Sequence, residues 1–411
     1  LKGLSMSNYD LKFSAAKQVK AEGGLLNAVA YILLTFLVSV TAFLLGVMYE
    51  RRTNPANDVA LSTFWETWDI LERDYYGELP DDQTRKFGAI EGLVSSLRDP
   101  FTSFARPEVA EVRRQEMDGH FGGVGIVVRT NEARQVVVAS VIPGNPADEA
   151  DIQVGDVFIE VDGVAVTGMN TDRVADLVRG EVGSEVKLRM YRPETQEYYE
   201  VSLIRAIIET PTVFSEVQEE AFGYINLTTF NGVVTSQLET HLRELLEEEG
   251  VKGLILDLRG NGGGLLDQAV SVADLFLDEG VVLTQRDSAG RQEVYRSDDG
   301  DLAEAIPLVV LVDSSTASAS EVVAGALQDR NRAILIGTNT FGKGVVQLVY
   351  NLSDGSQLRV TNAAWYTPND RAIQQGGLIP DRLINESFDI FGNDLTLQAG
   401  LAYLKEVVSQ D

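Results

Sequence analysis

The chain has 411 residues, 44% of them hydrophobic, which is enough for two or three domains with sizeable cores. Its 62 acidic residues against 34 basic ones give a formal net charge of -28, which argues against a nucleic-acid-binding surface. It has no cysteine, so disulfides and thiolate chemistry are excluded, and its two histidines, His120 and His241, stand apart with no metal-ligand spacing.

At the amino end, Leu25 to Met48 carries no charge. A membrane-spanning helix needs about 20 such residues. No small-x-small cleavage site precedes Glu50-Arg51-Arg52, so an uncleaved signal anchor over 25–48 is favoured over a removed signal peptide. Lys2, Lys12, Lys17 and Lys20 precede the span, which puts residues 1–24 in the cytoplasm and the rest on the periplasmic or extracellular side. The first residue is Leu1, not Met, which leaves the true amino terminus open.

Thr53 to Asp58 reads as a linker, and Val59 to Val112 as helical, with Leu61, Phe64, Trp68, Ile70 and Leu71 at apolar positions. Asp99-Pro100 and Arg106-Pro107 punctuate that pattern. The helical region is set at 53–118. Residues 119–205 then switch to short β-branched runs, Val124–Val128, Val136–Val141, Val157–Val161 and Val186–Tyr191, with a helix over 170–179.

From 206 to 411 the rhythm is α/β. Strands are predicted at Gly223–Leu227, Leu254–Leu258, Leu308–Val312 and Ala333–Ile336. Helices are predicted at Val233–Glu249, Leu265–Leu277 and Ser318–Asp329. The alternation predicts a largely parallel sheet, followed by a hairpin of Val345–Asn351 and Gln357–Ala364 around Ser353-Asp354-Gly355-Ser356.

Three loops carry candidate chemistry. Ser318 follows a buried-type strand and opens a helix, where free N–H groups gather and Ala319 N–H is placed to face an oxyanion. Read alone, the serine is more often a helix cap. Lys343 lies in Phe341-Gly342-Lys343-Gly344, a turn lysine unless burial by Phe341, Val345 and Val346 keeps its amine neutral as a base. Asp257-Leu258-Arg259-Gly260-Asn261-Gly262-Gly263-Gly264 lacks the ending of a phosphate-binding loop, and Gly263 or Gly264 could offer a second oxyanion donor. A fourth loop, Gly122-Gly123-Val124-Gly125-Ile126, leads into a strand and suits a peptide carboxylate.

In this order the motifs resemble the carboxy-terminal processing peptidases, or tail-specific proteases, of the S41 type, over roughly Val59 to Glu386. Ile142-Pro-Gly-Asn-Pro-Ala147 and Gly155-Asp156 to Asp162-Gly163 resemble that family's inserted PDZ domain. The glycine loop, Ser318-Ala-Ser-Glu321, Phe341-Gly-Lys343-Gly-Val-Val-Gln347 and Arg371-Ala-Ile-Gln-Gln-Gly-Gly-Leu-Ile-Pro-Asp381 match further family stretches.

The resemblance implies a crotonase/ClpP-like α/β protease core with an inserted PDZ domain, behind an N-terminal helical segment and one transmembrane helix. It implies Ser318 as nucleophile, Lys343 as general base and Gln347 as the residue that orients the lysine, with Gly263 and Ala319 as oxyanion donors. Asp329 is a possible acidic partner. Gly123, Val124, Gly125 and Ile126 would hold the free carboxyl tail of a protein substrate, with Val174, Leu177 and Val178 as an apolar pocket.

No metal or organic cofactor is implied. Partners are substrate chains and the membrane, with no nucleic acid, and a homo-oligomer is possible through 59–112. Where the family often has Asp-Pro-His the chain has Asp99-Pro100-Phe101, a departure expected to lie away from the dyad. Where the family often has Asn-Pro-Gly-Gly it has Asn261-Gly262-Gly263-Gly264. The rival readings are an inactive protease-like core serving as a PDZ scaffold and a transport or lipid-binding relative. Ser318, Lys343 and Gln347 together weigh against them.

Overall fold

The computed structural model describes residues 36, 38–41, 61–219, 221–374, 376–389 and 391–409. Among them no helix is long and apolar enough to cross a membrane. Apart from 36 and 38–41, the expected anchor Leu25–Met48 lies outside the described residues.

Residues up to 86 and residues from 87 onward form two separate compact units. In the first, α1 (Ser62–Asp74) buries no residue. Its Phe64 and Trp65 rings meet edge to face at 5.1 Å, and the Arg85 guanidinium lies 4.6 Å from the Trp68 ring. Helix α2 (Asp82–Ser95) follows.

The helical pattern expected up to 118 is broken by a strand, β1 (Ser103–Ala105), before α3 (Pro107–Asp118). The cause is local. Asp99 accepts the N–H groups of Phe101 and Thr102 at 3.0 and 3.2 Å, and this turn replaces helical hydrogen bonds.

A two-stranded ribbon carries the chain into and out of a strand-rich insert. β2 (His120–Gly123) pairs antiparallel with β9 (Ala206–Glu209), His120 opposite Glu209 and Gly123 opposite Ala206. The insert contains β3 (Ile126–Thr130), β4 (Val136–Val141), the short α4 (Pro146–Glu149), β5 (Val157–Val161), β6 (Val164–Ala165), α5 (Thr171–Val178), β7 (Glu185–Arg192) and β8 (Glu197–Ile204). Its sheet order is β3-β4-β5-β7-β8, with β6 beside β5. Asn170 caps α5 by accepting from Arg173 N at 3.0 Å. Alternating Val186, Leu188 and Met190 of β7 point into one core with Val138, Phe158 and Val174.

Beneath that core Asp156 is 1% exposed, and Arg192 grips it with two hydrogen bonds of 3.0 and 2.9 Å. Tyr199 donates to it at 2.6 Å and Gln153 N at 2.8 Å.

The remaining chain builds an α/β core. It contains β10 (Val213–Gln218), β11 (Phe222–Leu227), α6 (Val234–Arg243), β12 (Gly253–Asp257), α7 (Leu266–Asp274), β13 (Gly280–Asp287), β14 (Gln292–Ser297) and β15 (Leu308–Val312). It continues with α8 (Ala319–Asp329), β16 (Ile334–Gly337), β17 (Val345–Asn351), β18 (Gln357–Tyr366), β19 (Arg382–Leu383) and α9 (Leu395–Val408). The helix expected to run to Glu249 is α-helical only to Arg243 and ends in a π turn over Glu244–Glu248.

The main sheet runs β10-β11-β12-β15-β16-β19 and is parallel except at the β10 edge. β12 and β15 are buried at every residue, which is why they read as apolar runs, broken only by Asp257 at the end of β12. Leu254, Leu256, Val310 and Val312 face the core shared with α6, α7 and α8, while Ile255, Val309 and Leu311 face Leu401 and Leu404 of α9. A second, antiparallel sheet orders β1-β18-β13-β14, with β17 beside β18 as the expected hairpin.

The insert's ion pair gives a test of stability. Arg192→Ala leaves the Asp156 carboxylate buried without its cation, and the expected loss is roughly 3 kcal/mol. The denaturant midpoint of the whole chain, followed by tyrosine fluorescence, reads it. An unchanged midpoint would contradict the role assigned to the pair.

Candidate active site

Three neighbouring parallel strands deliver the candidate loops. β12 ends in the glycine loop, β15 in the Ser318 turn and β16 in the Lys343 loop, all at carboxyl ends, where sites of open α/β sheets gather. The loops meet in one cleft of about 520 Å³, lined by Gly263, Ser318, Ala319, Lys343 and Gln347 among others.

Ser318 has φ 56°, a left-handed conformation costly for a residue with a side chain. Neighbouring bonds hold it there. Its N–H donates to Glu321 Oε2 at 2.8 Å, Ala317 N donates to Asn261 O at 3.1 Å, and Ser320 Oγ donates to the same carbonyl at 2.9 Å.

Glu321 is fully buried, and its second oxygen accepts from Thr340 Oγ1 at 2.6 Å and Gly342 N at 2.7 Å. Lys343 N completes the set by donating to Oε2 at 2.9 Å. One carboxylate thus ties the serine turn to the lysine loop. The Ser-x-x-Glu spacing of a capping box was the sequence signal for it, and its reach across to the next loop had none.

The Lys343 amine is half-buried and donates to Gln347 Oε1 at 3.0 Å. No hydrogen bond joins it to Ser318 among the described residues. Burial pushes the amine below its usual value, the Arg359 guanidinium pushes it the same way, and the Glu321 carboxylate works against both.

Two expectations fail here. Phe341 does not shield the lysine, since it is 57% exposed. Phe101, expected to lie away from Ser318 and Lys343, sits on the lysine. Its ring centroid is 5.6 Å from Lys343 Nζ, and its carbonyl accepts from Gln347 Nε2. The stretch 371–381 wraps the lysine loop from the other side. Gln374 Oε1 accepts from Gly344 N at 2.7 Å, and Leu378 N donates to Thr340 Oγ1 at 2.7 Å.

The two expected oxyanion donors differ. Ala319 N–H is without a hydrogen-bond partner among the described residues. Gly263 N–H is given to Asn261 Oδ1 at 2.9 Å. Gly263 has φ 99°, and a Cβ there would lie 2.7 Å from Ala317 O and 2.9 Å from both Ala319 N and the Ser318 Cβ, so only glycine allows the loop against the serine turn. Asp329 is not part of the cleft. It ends α8, about 16 Å of helix from Ser318, where it pairs with Arg371 and accepts from Asn369 N at 2.9 Å.

The insert carries a second concavity, of about 340 Å³, between β3 and α5. Gly123, Val124, Gly125 and Ile126 line it together, as expected. Of the three apolar residues predicted on α5, only Val178 lines it. Val174 is fully buried in the insert's core and Leu177 packs against that core, so the helix presents Thr171, Asp172 and Ala175 instead.

Comparison with known proteins agrees with this geometry. The profile of peptidase family S41 matches residues 221–384 and that of the PDZ domain residues 137–192. The carboxy-terminal-processing protease of Bartonella bacilliformis is 38% identical over 338 residues, which is 80% of this chain and 77% of that one. The chloroplastic C-terminal processing peptidase of Tetradesmus obliquus is 36% identical over 333 residues, 77% and 72% of the two chains. The carboxy-terminal processing protease CtpA of Bacillus subtilis is 34% identical over 357 residues, 87% and 75%. The strand-rich insert is therefore a PDZ domain in an S41 protease core, and the chain belongs to the carboxy-terminal processing proteases of peptidase family S41.

Proposed function

We propose that the chain is a serine endopeptidase that cuts protein substrates near their carboxyl ends with a Ser318–Lys343 dyad. The observation that carries this reading is the Glu321 carboxylate, which binds the backbone N–H groups of both Ser318 and Lys343 and so fixes one loop against the other. A neutral Lys343 amine that donates to Gln347 keeps its lone pair for the serine proton.

In the proposed reaction Nζ takes the Ser318 hydroxyl proton as Oγ bonds to the scissile carbonyl carbon. The oxyanion faces Ala319 N–H, and Gly263 N–H joins it on leaving Asn261 Oδ1. The Lys343 ammonium then protonates the leaving amine as the C–N bond breaks, and an acyl-enzyme remains. Water repeats the sequence, with its proton passing to Lys343, and releases the new carboxylate and Ser318.

The PDZ groove over Gly123 to Ile126 takes the substrate's free tail in this scheme, as a strand added beside β3. Residues 25–48 anchor the chain, residues 1–24 stay in the cytoplasm, and everything after Arg52 works outside a bacterial membrane.

Ser318→Ala and Lys343→Ala are each expected to lower kcat on a tail peptide by about a thousandfold or more while the fold is kept. Full cleavage by Lys343→Ala would sink the dyad and favour the inactive-scaffold reading. The amine must be neutral to act, and its shift is downward, so kcat/KM should rise with pH through a limb below the ordinary lysine range. A profile flat far into acid would contradict the base. Glu321→Gln sets an amide NH2 against two N–H donors, and kcat is expected to fall roughly tenfold to a hundredfold with circular dichroism unchanged. Equal kcat would show that the carboxylate does not hold the dyad.

A further inference from the structure

The catalytic cleft contains two arginines without carboxylate partners. Arg114 of the same cleft, and Arg106, Arg192, Arg259, Arg330 and Arg371 elsewhere in this acidic chain, are each held by an Asp or Glu. Arg113 of α3 and Arg359 of β18 also line the cleft, yet among the described residues neither forms an ion pair. The hydrogen bond that Arg359 does make is donated to neutral Gln357 Oε1 at 3.1 Å.

Both side chains line the same cleft. Burial pushes the Arg359 guanidinium below its usual value, the Arg113 charge pushes it the same way, and the Glu116 carboxylate works against both. Arg359 in turn acts on Lys343, against the opposite pull of Glu321. Arg114 is occupied by Glu111 at 2.6 Å, and Asp118 lines the cleft without an ion pair to any of the three arginines. Like charges gathered in a half-buried site, without a directly paired carboxylate, are costly unless a ligand brings the anion.

We propose that Arg113 and Arg359 form a carboxylate subsite of the cleft that selects substrates with an acidic group near the scissile bond. Register places it. On the β17–β18 hairpin Gln347 lies opposite Thr361, and Val349 opposite Arg359, so Arg359 stands two residues, about 7 Å, along the strands from the dyad's Gln347. An extended substrate advances about 3.3 Å per residue, so the acidic group falls within about three residues of the cut. Two sources fit this chemistry, an Asp or Glu side chain or a chain terminus just past the cut.

The subsite deepens the proposed endopeptidase reading and rests on it. Its test uses tail peptides with Glu or Gln at each of three positions on either side of the cut, each with a free or an amidated end. The full chain should prefer the Glu peptide at one position by about tenfold in kcat/KM, and Arg113→Gln and Arg359→Gln should each erase that ratio. A preference that follows the free end alone identifies the chain terminus as the anion. Arg243→Gln, the same charge change on the exposed end of α6, should keep the ratio.

Arg359 also depresses the Lys343 pKa, so Arg359→Gln should move the pH limb upward. Arg113→Gln should erase the preference without moving the limb, which a purely electrostatic role on the lysine would not do. Binding of the same peptides to Ser318→Ala reads the subsite without turnover. Selective binding with no cleavage by the unmodified chain would overturn the protease reading and keep the subsite. Equal Glu and Gln ratios in the unmodified chain, in cleavage and in binding, would overturn the subsite.

Discussion

The site depends on one buried carboxylate. Glu321 is surrounded by four donors, the N–H groups of Ser318, Gly342 and Lys343 and the hydroxyl of Thr340, all within 2.9 Å. A buried carboxylate without partners would be expelled or protonated. With four hydrogen bonds it becomes a rigid node, and the order it imposes is what the proposed chemistry requires. It fixes the left-handed backbone of Ser318 from one side and the backbone of the lysine loop from the other. Because its charge also favours a protonated Lys343, the lysine's environment has to overcome it, and burial together with Arg359 does so.

The node works because of the sheet beneath it. β12, β15 and β16 are adjacent and parallel, so their carboxyl ends bring three loops together without any long connection inside the site. Asn261 repeats the logic of Glu321 one loop away. Its carbonyl receives Ala317 N and Ser320 Oγ, its Oδ1 receives Gly263 N, and its Nδ2 donates to Leu227 O at 2.7 Å. At the base of the same loop Arg259 bridges the carboxylates of Asp257 and Asp394, and Asp394 caps α9. Glycine loop, Ser318 turn and carboxy-terminal helix are therefore joined by polar bonds.

What was legible in the sequence follows from this division. Buried parallel strands such as β12 and β15 read directly, because both faces are covered and, Asp257 at the end of β12 apart, their side chains are apolar. The helices α6 and α7 read as well, since their spacing reports one buried face, whereas α8 is buried all round from Ala319 to Leu327. β13 and β14 were missed, as half-exposed antiparallel strands with a mixed pattern. The expected residues Ser318, Ala319, Gly263, Lys343 and Gln347 do share one cleft. Asp329 did not join them because direction along a helix is invisible in a motif. Val174 was misplaced on the groove because one residue, about 100° of rotation, separates the core face at Val174 from the groove face at Ala175. Phe101 was misread for another reason. Its contact with Lys343 spans 242 positions of chain, and nothing local to Asp99-Pro100-Phe101 announces it.

The charge pattern gives the last constraint. A chain with net charge -28 repels acidic partners at long range, yet the walls of its cleft carry Arg113, Arg359 and Lys343. Salt screens the surface field within about 10 Å, whereas half-buried charges in a cleft are screened less. The local cations therefore outweigh the distant anions for a segment already held in the cleft. Burial and the Arg359 charge both disfavour a proton on Lys343. In the proposed mechanism base strength and anion preference are thus coupled through Arg359: a carboxylate bound beside it would cancel part of its field and make the lysine a stronger base as the substrate settles.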